Sequence, residues 1–165
     1  MWFQVLGPVE VRRGLDGPML PLGGPKQRTV LALLIAADHR LVSVSTIVDE
    51  LWGDQPPAKA VASIHSYVAN LRRILRGASG RAEEDPLLTR SAGYLLNPAI
   101  PDLDVDAEQF ERLVSLGRQS ADDDPVGAVG WYAKAEALWR GEAYADTASV
   151  SARLAAEAVR LGEIR

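Results

Sequence analysis

Cysteine is absent from the 165 residues of this chain, so disulfide frameworks, thiolate metal sites and cysteine nucleophiles are excluded. Aromatic residues are scarce, at 6% of the chain. The longest hydrophobic run, from Val30 to Ala37, has eight residues, whereas a membrane-spanning helix needs about 20. No basic segment opens the N-terminus, so a secretory signal is not expected. We therefore expect a soluble, cytoplasmic protein that meets no membrane.

Histidine is also rare, and the two that occur, His39 and His65, show no spacing that would place both on one metal ion. The stretch GGPKQR, residues 23–28, superficially resembles a phosphate-binding loop. It lacks the GxxxxGK[ST] spacing, and its proline removes one N–H from the cradle, so we reject nucleotide binding there. Because no nucleophile elbow is found either, the sequence predicts neither an enzyme nor a bound cofactor.

An acidic stretch, DLDVDAEQFE at residues 102–111, has some features of a calcium loop. Its sixth position is Ala107 where such loops need glycine, and its twelfth is Leu113 where they need glutamate. We interpret the acidic residues as the start of a helix, where carboxylates interact favourably with the helix dipole. No metal site is predicted.

Charge is unevenly distributed along the chain, whose net charge is −4. Residues 1–97 hold 11 basic and 9 acidic side chains, whereas residues 98–165 hold 7 and 13, so the two parts carry net charges of +2 and −6. Such asymmetry predicts two modules with different partners. The acidic average therefore does not exclude a nucleic-acid-binding face, provided that the face is local.

The chain begins with short strands and a helix. Two strands are predicted around Gly7-Pro8 and another near Met19 to Leu22, because β-branched and aromatic residues occur there between turn signals. A helix is predicted from Pro25 or Lys26 to about Ala37, with proline at a position where its missing N–H costs nothing. The apolar side of this helix comprises Val30, Leu31, Leu33 and Leu34.

A second helix is predicted between an N-cap at Ser43 and a stop at Gly53, before the turn GDQPP. Its apolar residues recur at i, i+3, i+4, i+7 and i+8, which makes one continuous stripe. The stripe comprises Val44, Ile47, Val48, Leu51 and Trp52.

The third helix, KAVASIHSYVANLRRIL from Lys59 to Leu75, carries the main functional signal. Its apolar stripe, with spacings of 3, 4, 3 and 4, comprises Val61, Ile64, Val68, Leu71 and Leu75. At about 100° per residue, the opposite side collects Lys59, Ala62, Ser66, Ala69, Asn70 and Arg73. A face of small residues with an amide and an arginine can approach another surface closely. The alternative interpretation is that the arginines merely favour the C-terminal end of the helix dipole.

After a loop over residues 77–86, the segment LLTRSAGYLL predicts two strands around Ser91 to Gly93, with Arg90 near the tip. Three helices followed by a hairpin form the layout of a winged helix-turn-helix. In that setting Asn70 has the chemistry to pair with adenine, and Arg73 with guanine. Ser66 suits a base or a phosphate, and Arg90 suits the minor groove or a phosphate. Thymine methyl groups would meet Ala62, Ala69 or Tyr67.

From Pro98 onward the chain is alanine-rich and predicted to be helical. One helix contains FERLV at residues 110–114, a second opens at Asp124 or Pro125, and a third lies in SARLAAEAVRLGEIR. The inward residues predicted for the second are Val129, Tyr132, Ala133, Ala135, Leu138 and Trp139. Because an array of helical hairpins buries its last helix against a following one, we interpret the chain as a fragment of a longer protein.

Four segments, GPKQR, ELWGDQPP, SYVANLRRIL and TRSAGYLL, closely resemble the SARP family, the Streptomyces antibiotic regulatory proteins. The wing also resembles OmpR-type output domains. FERLV and ALWRGEAYAD resemble the start of the bacterial transcriptional activation domain, a tetratricopeptide-like helical module. The resemblance implies a mainly α fold with small β-sheets. An OmpR-type winged helix-turn-helix would occupy residues 1–97, and a truncated all-α domain would occupy residues 98–165.

The resemblance also implies a function. SARP proteins are activators that bind promoter direct repeats as a side-by-side homodimer and recruit RNA polymerase, through its sigma factor or its alpha and beta subunits, to genes of antibiotic and other secondary-metabolite biosynthesis. The DNA-binding residues predicted from the pattern and the resemblance are Lys26, Arg28, Lys59, Ser63, Ser66, Tyr67, Asn70, Arg72, Arg73 and Arg90. The sigma-facing turn that the resemblance implies comprises Trp52, Gly53, Asp54 and Gln55.

This chain departs from many OmpR-type recognition helices in having Ala69 and Asn70 where those have arginines, so base readout is not carried over position by position. Two alternatives stay open. One is a protein-interaction scaffold, which should be indifferent to loss of Arg73 or Arg90. The other is a related regulator with a C-terminal phosphopeptide-binding domain, because that family shares a segment similar to ASIHSYV; a third variant appends an ATPase.

Overall fold

The computed structural model of the chain describes residues 1–79, 85–100 and 103–165. In chain order the elements are β1 (Trp2–Gln4), β2 (Glu10–Arg12), α1 (Pro25–Ala36), β3 (Val42–Ser43), α2 (Val44–Trp52), α3 (Ala60–Ser79), β4 (Leu87–Arg90), β5 (Gly93–Leu96), β6 (Asp104–Val105), α4 (Asp106–Ser120), α5 (Pro125–Glu136) and α6 (Ala152–Ile164). Helices pack around two small sheets, which confirms the predicted mainly α class. In the part of the chain that the structure describes, each helix is too short or too polar to cross a membrane.

Helix α1 lies at the centre of the packing. The four residues predicted for its apolar side are fully buried, and Thr29, Ala32 and Ile35 on its other sides are buried as well. It contacts α2, α3, β5 and α6, so it joins the first half of the chain to the last helix. A helix buried on all sides is expected to read as a nearly continuous apolar run, and this one does. Asp38 and His39, which follow it, have left-handed φ angles of 50° and 58°.

Helices α2 and α3 confirm most of the predicted pattern. The hydroxyl of Ser43 accepts the Thr46 N–H at 3.0 Å, and Gly53 closes α2 with a φ of 56°. In α3 the stripe from Ile64 to Leu75 is buried, but Val61 is 49% exposed, so its prediction was wrong. Ala60, four residues before Ile64, takes the buried place in the first turn instead.

The hairpin is held by a third strand. β4 and β5 pair antiparallel with Arg90 opposite Gly93, so Arg90 lies at the tip as predicted. β3, which was not predicted, pairs with β5 and gives the order β3-β5-β4. A Cβ at Gly93 would lie 2.0 Å from the carbonyl oxygen of Val42, so this crossing requires glycine. Helix α3 extends to Ser79, and residues 80–84 of the predicted loop lie outside the described residues.

The N-terminal sheet combines both halves of the sequence in the order β2-β1-β6. The two strands predicted around Gly7-Pro8 are present as β1 and β2, which pair antiparallel, whereas the strand predicted near Met19 is reduced to one bridge between Met19 and Arg12. Pro18 and Pro21 flank that bridge and have no N–H to extend it. β6 pairs parallel to β1, an interaction that the sequence did not reveal.

The C-terminal part packs α4 against α5 through small residues. Phe110, Leu113 and Val114 of α4 are buried. In α5 the predicted inward face is confirmed at Ala135, which is 2% exposed, and Leu138 and Trp139 pack partly buried against the core. The prediction was wrong for Val129, which is 67% exposed, and Tyr132 is 39% exposed with its ring against Gly117 of α4. Ala133 is exposed too, and Leu138 and Trp139 follow the end of the helix at Glu136. Only the alanine side, Ala128 and Ala135, is buried within α5, because short side chains let the two helices approach closely.

Candidate nucleic-acid interface

Helix α3 presents a face without carboxylates. Its sequence from Ala60 to Ser79 contains neither Asp nor Glu. Of the polar residues predicted to meet DNA in and just before this helix, Lys59, Ser66 and Arg73 are exposed, and Ser63, Tyr67 and Asn70 are half-buried. The hydroxyl of Ser66 donates to the Ala62 carbonyl at 3.0 Å, which leaves its oxygen lone pairs for an outside donor. The face combines positive charge with a short-side-chain surface.

Arg72 and Arg73 are adjacent in sequence and differ in role. Arg72 donates to the Leu87 carbonyl from Nε at 2.8 Å and from Nη2 at 2.5 Å, and Nη2 also donates to the Thr89 hydroxyl at 2.8 Å. Its Nε lies 3.0 Å from the Asp85 carboxylate. These contacts tie α3 to the hairpin. Arg73 is exposed and donates from Nη2 to the Asn70 side-chain oxygen at 2.6 Å.

Arg90 ends β4 at the tip of the hairpin. Its side chain is exposed, and Nη1 donates to the backbone carbonyl of Thr89 at 3.0 Å. Because Arg72 donates to the Leu87 carbonyl and to the Thr89 hydroxyl, β4 is fixed to α3 along its length up to the residue before Arg90, whose side chain stays in solvent. A rigidly anchored strand pair with an exposed cation is suited to contact a phosphate backbone.

The basic residues at the start of α1 lie in two different environments. Lys26 is exposed, with Nζ 4.8 Å from the centre of the Trp52 ring, a cation–π arrangement. Arg28 is half-buried and donates from Nη1 to the Gly23 carbonyl at 2.9 Å. Its Nε lies 2.9 Å from the Asp146 carboxylate. This contact is an ion pair and not a hydrogen bond of Nε. Asp146 therefore neutralises part of the charge of Arg28.

The turn predicted to face a sigma factor is a tight, exposed connection between α2 and α3. The Gln55 N–H donates to the Trp52 carbonyl at 3.2 Å, and Gly53 adopts a left-handed φ of 56°. Gly53, Asp54 and Gln55 are exposed, whereas Trp52 is half-buried against the core. Polar groups of this turn are thus accessible to a partner. The Trp52 ring contacts the Lys26 ammonium group.

One buried residue that contacts the candidate interface, Gln27, was not predicted from the sequence. Gln27 is 7% exposed, and its side chain donates from Nε2 to the Leu22 carbonyl at 2.7 Å. Its Oε1 accepts from Nδ2 of Asn70 at 3.0 Å. A signal was present in the sequence, because Gln27 lies three and four residues before Val30 and Leu31 and so falls on the apolar side of α1.

Two polar contacts, one buried and one partly buried, join the first half of the chain to the second. The carboxylate of Asp106, 1% exposed, accepts the N–H groups of Val5 at 2.8 Å and Leu6 at 3.1 Å. Burial raises the pKa of Asp106 from 3.8 to about 6. Ser151, the N-cap of α6, donates its hydroxyl to the Glu50 carboxylate at 2.6 Å. Helix α6 is therefore fixed to α2 by a side-chain hydrogen bond.

His39 lies at the same junction. Its Nδ1 is 3.2 Å from the Leu96 carbonyl, and its Nε2 is 3.8 Å from the Glu108 carboxylate. Together with Asp38, these residues place three potential ligand atoms within 4.8 Å of one another. The predicted absence of metal-ligand spacing concerned the two histidines, and this group brings together residues up to 70 positions apart in sequence. Burial raises the pKa of Glu108, and attraction to His39 lowers it in part.

Comparison with known proteins places these features in a family. Residues 21–96 match the family described as transcriptional regulatory protein, C terminal, and residues 105–165 match the bacterial transcriptional activator domain. Regulatory protein DnrI of Streptomyces peucetius is 32% identical over 170 residues, which is 100% of this chain and 61% of DnrI. Regulatory protein AfsR of Streptomyces coelicolor is 32% identical over 166 residues, 99% of this chain and 15% of AfsR. The chain belongs to the SARP family of transcriptional regulators.

A solved relative confirms the fold of this SARP chain. The structure of EmbR from Mycobacterium tuberculosis, in complex with a low-affinity phosphopeptide, matches 98% of the chain and 41% of EmbR, with a TM-score of 0.80 and 34% identity. The EmbR sequence is 43% identical over 122 residues, 72% of this chain and 29% of EmbR. A winged helix followed by a helical activator region is therefore the fold. The chain spans less than two thirds of these relatives, from 15% of AfsR to 61% of DnrI.

Proposed function

We propose that this SARP chain reads DNA by placing α3 in the major groove with the β4–β5 hairpin beside it, and that it activates transcription from that position. The exposed face of α3 is the observation that carries the proposal, because it offers cations and hydroxyls and no carboxylate of its own. An α-helix fits the width of the major groove, and phosphate contacts by Lys and Arg supply most of the non-specific affinity. The hairpin, anchored by Arg72, adds Arg90 as a second point of contact.

The proposed DNA-facing residues divide according to their contacts. Lys26, Lys59 and Arg90 are exposed and are assigned to phosphates, and Arg73 is assigned to base edges or phosphate. Ser63, Ser66 and Tyr67 lie along α3 and are assigned to close contacts in the groove. Arg28 and Arg72 are engaged within the protein, so we assign them to positioning and to the local positive potential.

The division of labour follows the charge asymmetry. We assign residues 1–97, with a net charge of +2, to DNA, and residues 98–165, with a net charge of −6, to protein partners. Electrostatic repulsion favours an orientation on DNA in which the acidic part lies away from the phosphates. The junction at Asp106 and Ser151 supports a fixed relation between the two parts, so that binding to DNA sets the direction of the helical part.

A pair of chains on direct repeats and recruitment of RNA polymerase complete the proposal. Direct repeats require two copies in the same orientation, so the contact between them uses two different surfaces of the chain. The polymerase contact is assigned to the turn Trp52–Gln55, through sigma, with the alpha and beta subunits as further partners. Replacing Asp54 and Gln55 by alanine should reduce transcription in a purified polymerase assay while DNA affinity stays unchanged. The protein would act in the cytoplasm on secondary-metabolite genes, which genome-wide mapping of its binding sites tests.

Selection from random DNA tests the central proposal. The chain would enrich duplexes from a random-sequence pool, and the enriched duplex would be titrated against a scrambled one at several salt concentrations. We expect tighter binding to the enriched duplex, a negative slope of log affinity against log salt, and a loss of about 10-fold or more for Arg73→Ala. Equal, weak binding to both duplexes, unchanged in Arg73→Ala and Arg90→Ala, would indicate a protein-interaction scaffold instead.

A further inference from the structure

The orientation of the Gln27 side chain is fixed by its surroundings. A backbone carbonyl can only accept hydrogen bonds, so the Leu22 carbonyl requires the amide nitrogen Nε2 of Gln27, which lies 2.7 Å away. Gly23, with a φ of 84°, passes beneath this amide, and a Cβ at Gly23 would lie 2.7 Å from Nε2. The oxygen Oε1 therefore points away from Leu22 and needs a donor.

The orientation of the Asn70 side-chain amide is set by Gln27. Because Oε1 of Gln27 only accepts, Asn70 turns its Nδ2 towards it, at 3.0 Å. The side-chain oxygen of Asn70 is left facing Arg73, whose Nη2 donates to it at 2.6 Å. A chain of three hydrogen-bonded side chains thus runs from a buried residue of α1 to an exposed guanidinium of α3.

We infer that Gln27 and Asn70 are positioning residues for Arg73, and that Asn70 does not read a base. This inference rests on the proposed function and deepens it. Pairing of Asn with adenine uses both the amide nitrogen and the amide oxygen. In this chain the nitrogen of Asn70 is directed inward to Gln27 and the oxygen to Arg73. The amide of Asn70 keeps a second N–H and a second lone pair, but its orientation is set by Gln27 and Arg73 rather than by a base, whereas the exposed Arg73 keeps further N–H groups for a guanine edge or a phosphate.

A double-mutant cycle on the selected duplex tests whether Gln27 acts through Arg73. Gln27→Leu, a buried change that cannot touch DNA, should weaken binding to the enriched duplex by roughly 3- to 10-fold, less than Arg73→Ala. In the Arg73→Ala background the same change should alter affinity by less than about 2-fold, because its target is already gone. Thr29→Val is the matched control, a buried polar residue of α1 whose hydroxyl bonds only within that helix, to the Pro25 carbonyl. Additive effects of Gln27→Leu and Arg73→Ala would overturn the inference.

The base preferences of Asn70→Ala, a change at a half-buried residue, keep the test independent of any loss of stability in Gln27→Leu. Selection from random DNA should show Asn70→Ala and Arg73→Ala relaxing the same operator positions. Loss of preference for adenine at a separate position in Asn70→Ala alone would make Asn70 a base reader and overturn the inference, while DNA binding itself stands.

A measurement without DNA separates this inference from the proposed function. In the wild-type protein, side-chain ¹⁵N relaxation of Arg73 should report a restrained guanidinium, and Asn70→Ala and Gln27→Leu should both release it. An equally mobile Arg73 in all three proteins would overturn the positioning role. If the wild-type chain fails to discriminate between duplexes, the proposed function fails, and the relaxation result still decides whether the three side chains act together.

Discussion

The guanidinium of Arg72 donates two hydrogen bonds to the carbonyl oxygen of Leu87, from Nε at 2.8 Å and from Nη2 at 2.5 Å. That carbonyl links α3 to β4, the first strand of the hairpin. A wing that moved independently of α3 could not present Arg90 in a fixed place. The neighbouring residue Arg73 is exposed on α3, so of these two adjacent arginines one is bound to the hairpin and the other faces solvent, where the proposed function places DNA.

Substitution of these two arginines should separate stability from binding. Arg72→Ala removes charge-assisted hydrogen bonds to Leu87 and Thr89 and should lower the free energy of unfolding by about 2 kcal/mol. Arg73→Ala should change it by less than about 0.5 kcal/mol, because the residue is exposed and its partner Asn70 can hydrogen-bond to water. Urea unfolding followed by circular dichroism measures both. Equal destabilisation by the two variants would mean that Arg72 does not anchor the wing.

Two valines of α3 provide a matched test of which face is buried. Val68 is 1% exposed and Val61 is 49% exposed, although both belong to the same predicted stripe. Val68→Ala should lower the free energy of unfolding by roughly 1–3 kcal/mol, because it removes two buried methyl groups and leaves a cavity. Val61→Ala should have an effect within about 0.5 kcal/mol. A larger loss of unfolding free energy for Val61→Ala than for Val68→Ala would mean that Val61 is buried, as the sequence predicted.

The outcome at Val61 shows where sequence reasoning stops. Both Ala60 and Val61 lie within one turn of Ile64, so periodicity alone allows either to be buried, and the packing chooses Ala60. The caps of α2 were predictable, because Ser43 and Gly53 act within their own turn. Pairing of β6 with β1 was not predictable, because a two-residue strand has no periodicity of its own.

The same limit applies to the candidate site. The exposed residues of α3 and the tip of the hairpin followed from local pattern. The hydrogen bond between Gln27 and Asn70 joins residues 43 positions apart, and no local pattern reports such a contact. Likewise Arg72 was assigned to DNA from the helix pattern and the family resemblance, whereas the fold places Leu87 and Asp85 beside it. Tertiary contacts decide whether a charged side chain is bound within the protein or exposed to a partner.

Two glycines should respond to alanine in opposite directions. Gly93→Ala would bring a Cβ to 2.0 Å from the Val42 carbonyl oxygen, and backbone on both sides would have to shift. The β3–β5 pairing should weaken, with a loss of about 3 kcal/mol or more in the free energy of unfolding. Gly77 lies in α3, and a Cβ there meets nothing within 4 Å, so Gly77→Ala should stabilise the protein by about 0.5–1 kcal/mol. Thermal unfolding of the two variants side by side measures both changes in stability. An unchanged stability of Gly93→Ala would show that β3 and β5 are less closely packed at Gly93 than in the structure.

Asp106 should make stability depend on pH. Burial raises its pKa from 3.8 to about 6, and the N–H groups of Val5 and Leu6 and the charge of Arg140 lower it in part. Between about pH 4 and pH 6 the folded protein therefore binds a proton that the unfolded chain has released. The free energy of unfolding contributed by this group falls as pH rises through that window, by up to about 3 kcal/mol.

Asp106→Asn should flatten this dependence, because an amide does not titrate. At about pH 4.5 the variant should be less stable than the wild type by about 1–3 kcal/mol, since its NH₂ group would face one of the two backbone N–H donors, and this difference should shrink as the wild-type curve falls with rising pH. Urea unfolding at about pH 4.5, 5.5, 6.5 and 7.5 separates the two effects, because the first changes the slope against pH and the second sets the difference at the lowest pH. Asp104→Asn, at an exposed carboxylate two residues earlier, is the matched control for the loss of one nearby carboxylate. Parallel curves for wild type and Asp106→Asn would mean that Asp106 stays ionised in the folded protein throughout this range, and that its two N–H donors outweigh its burial.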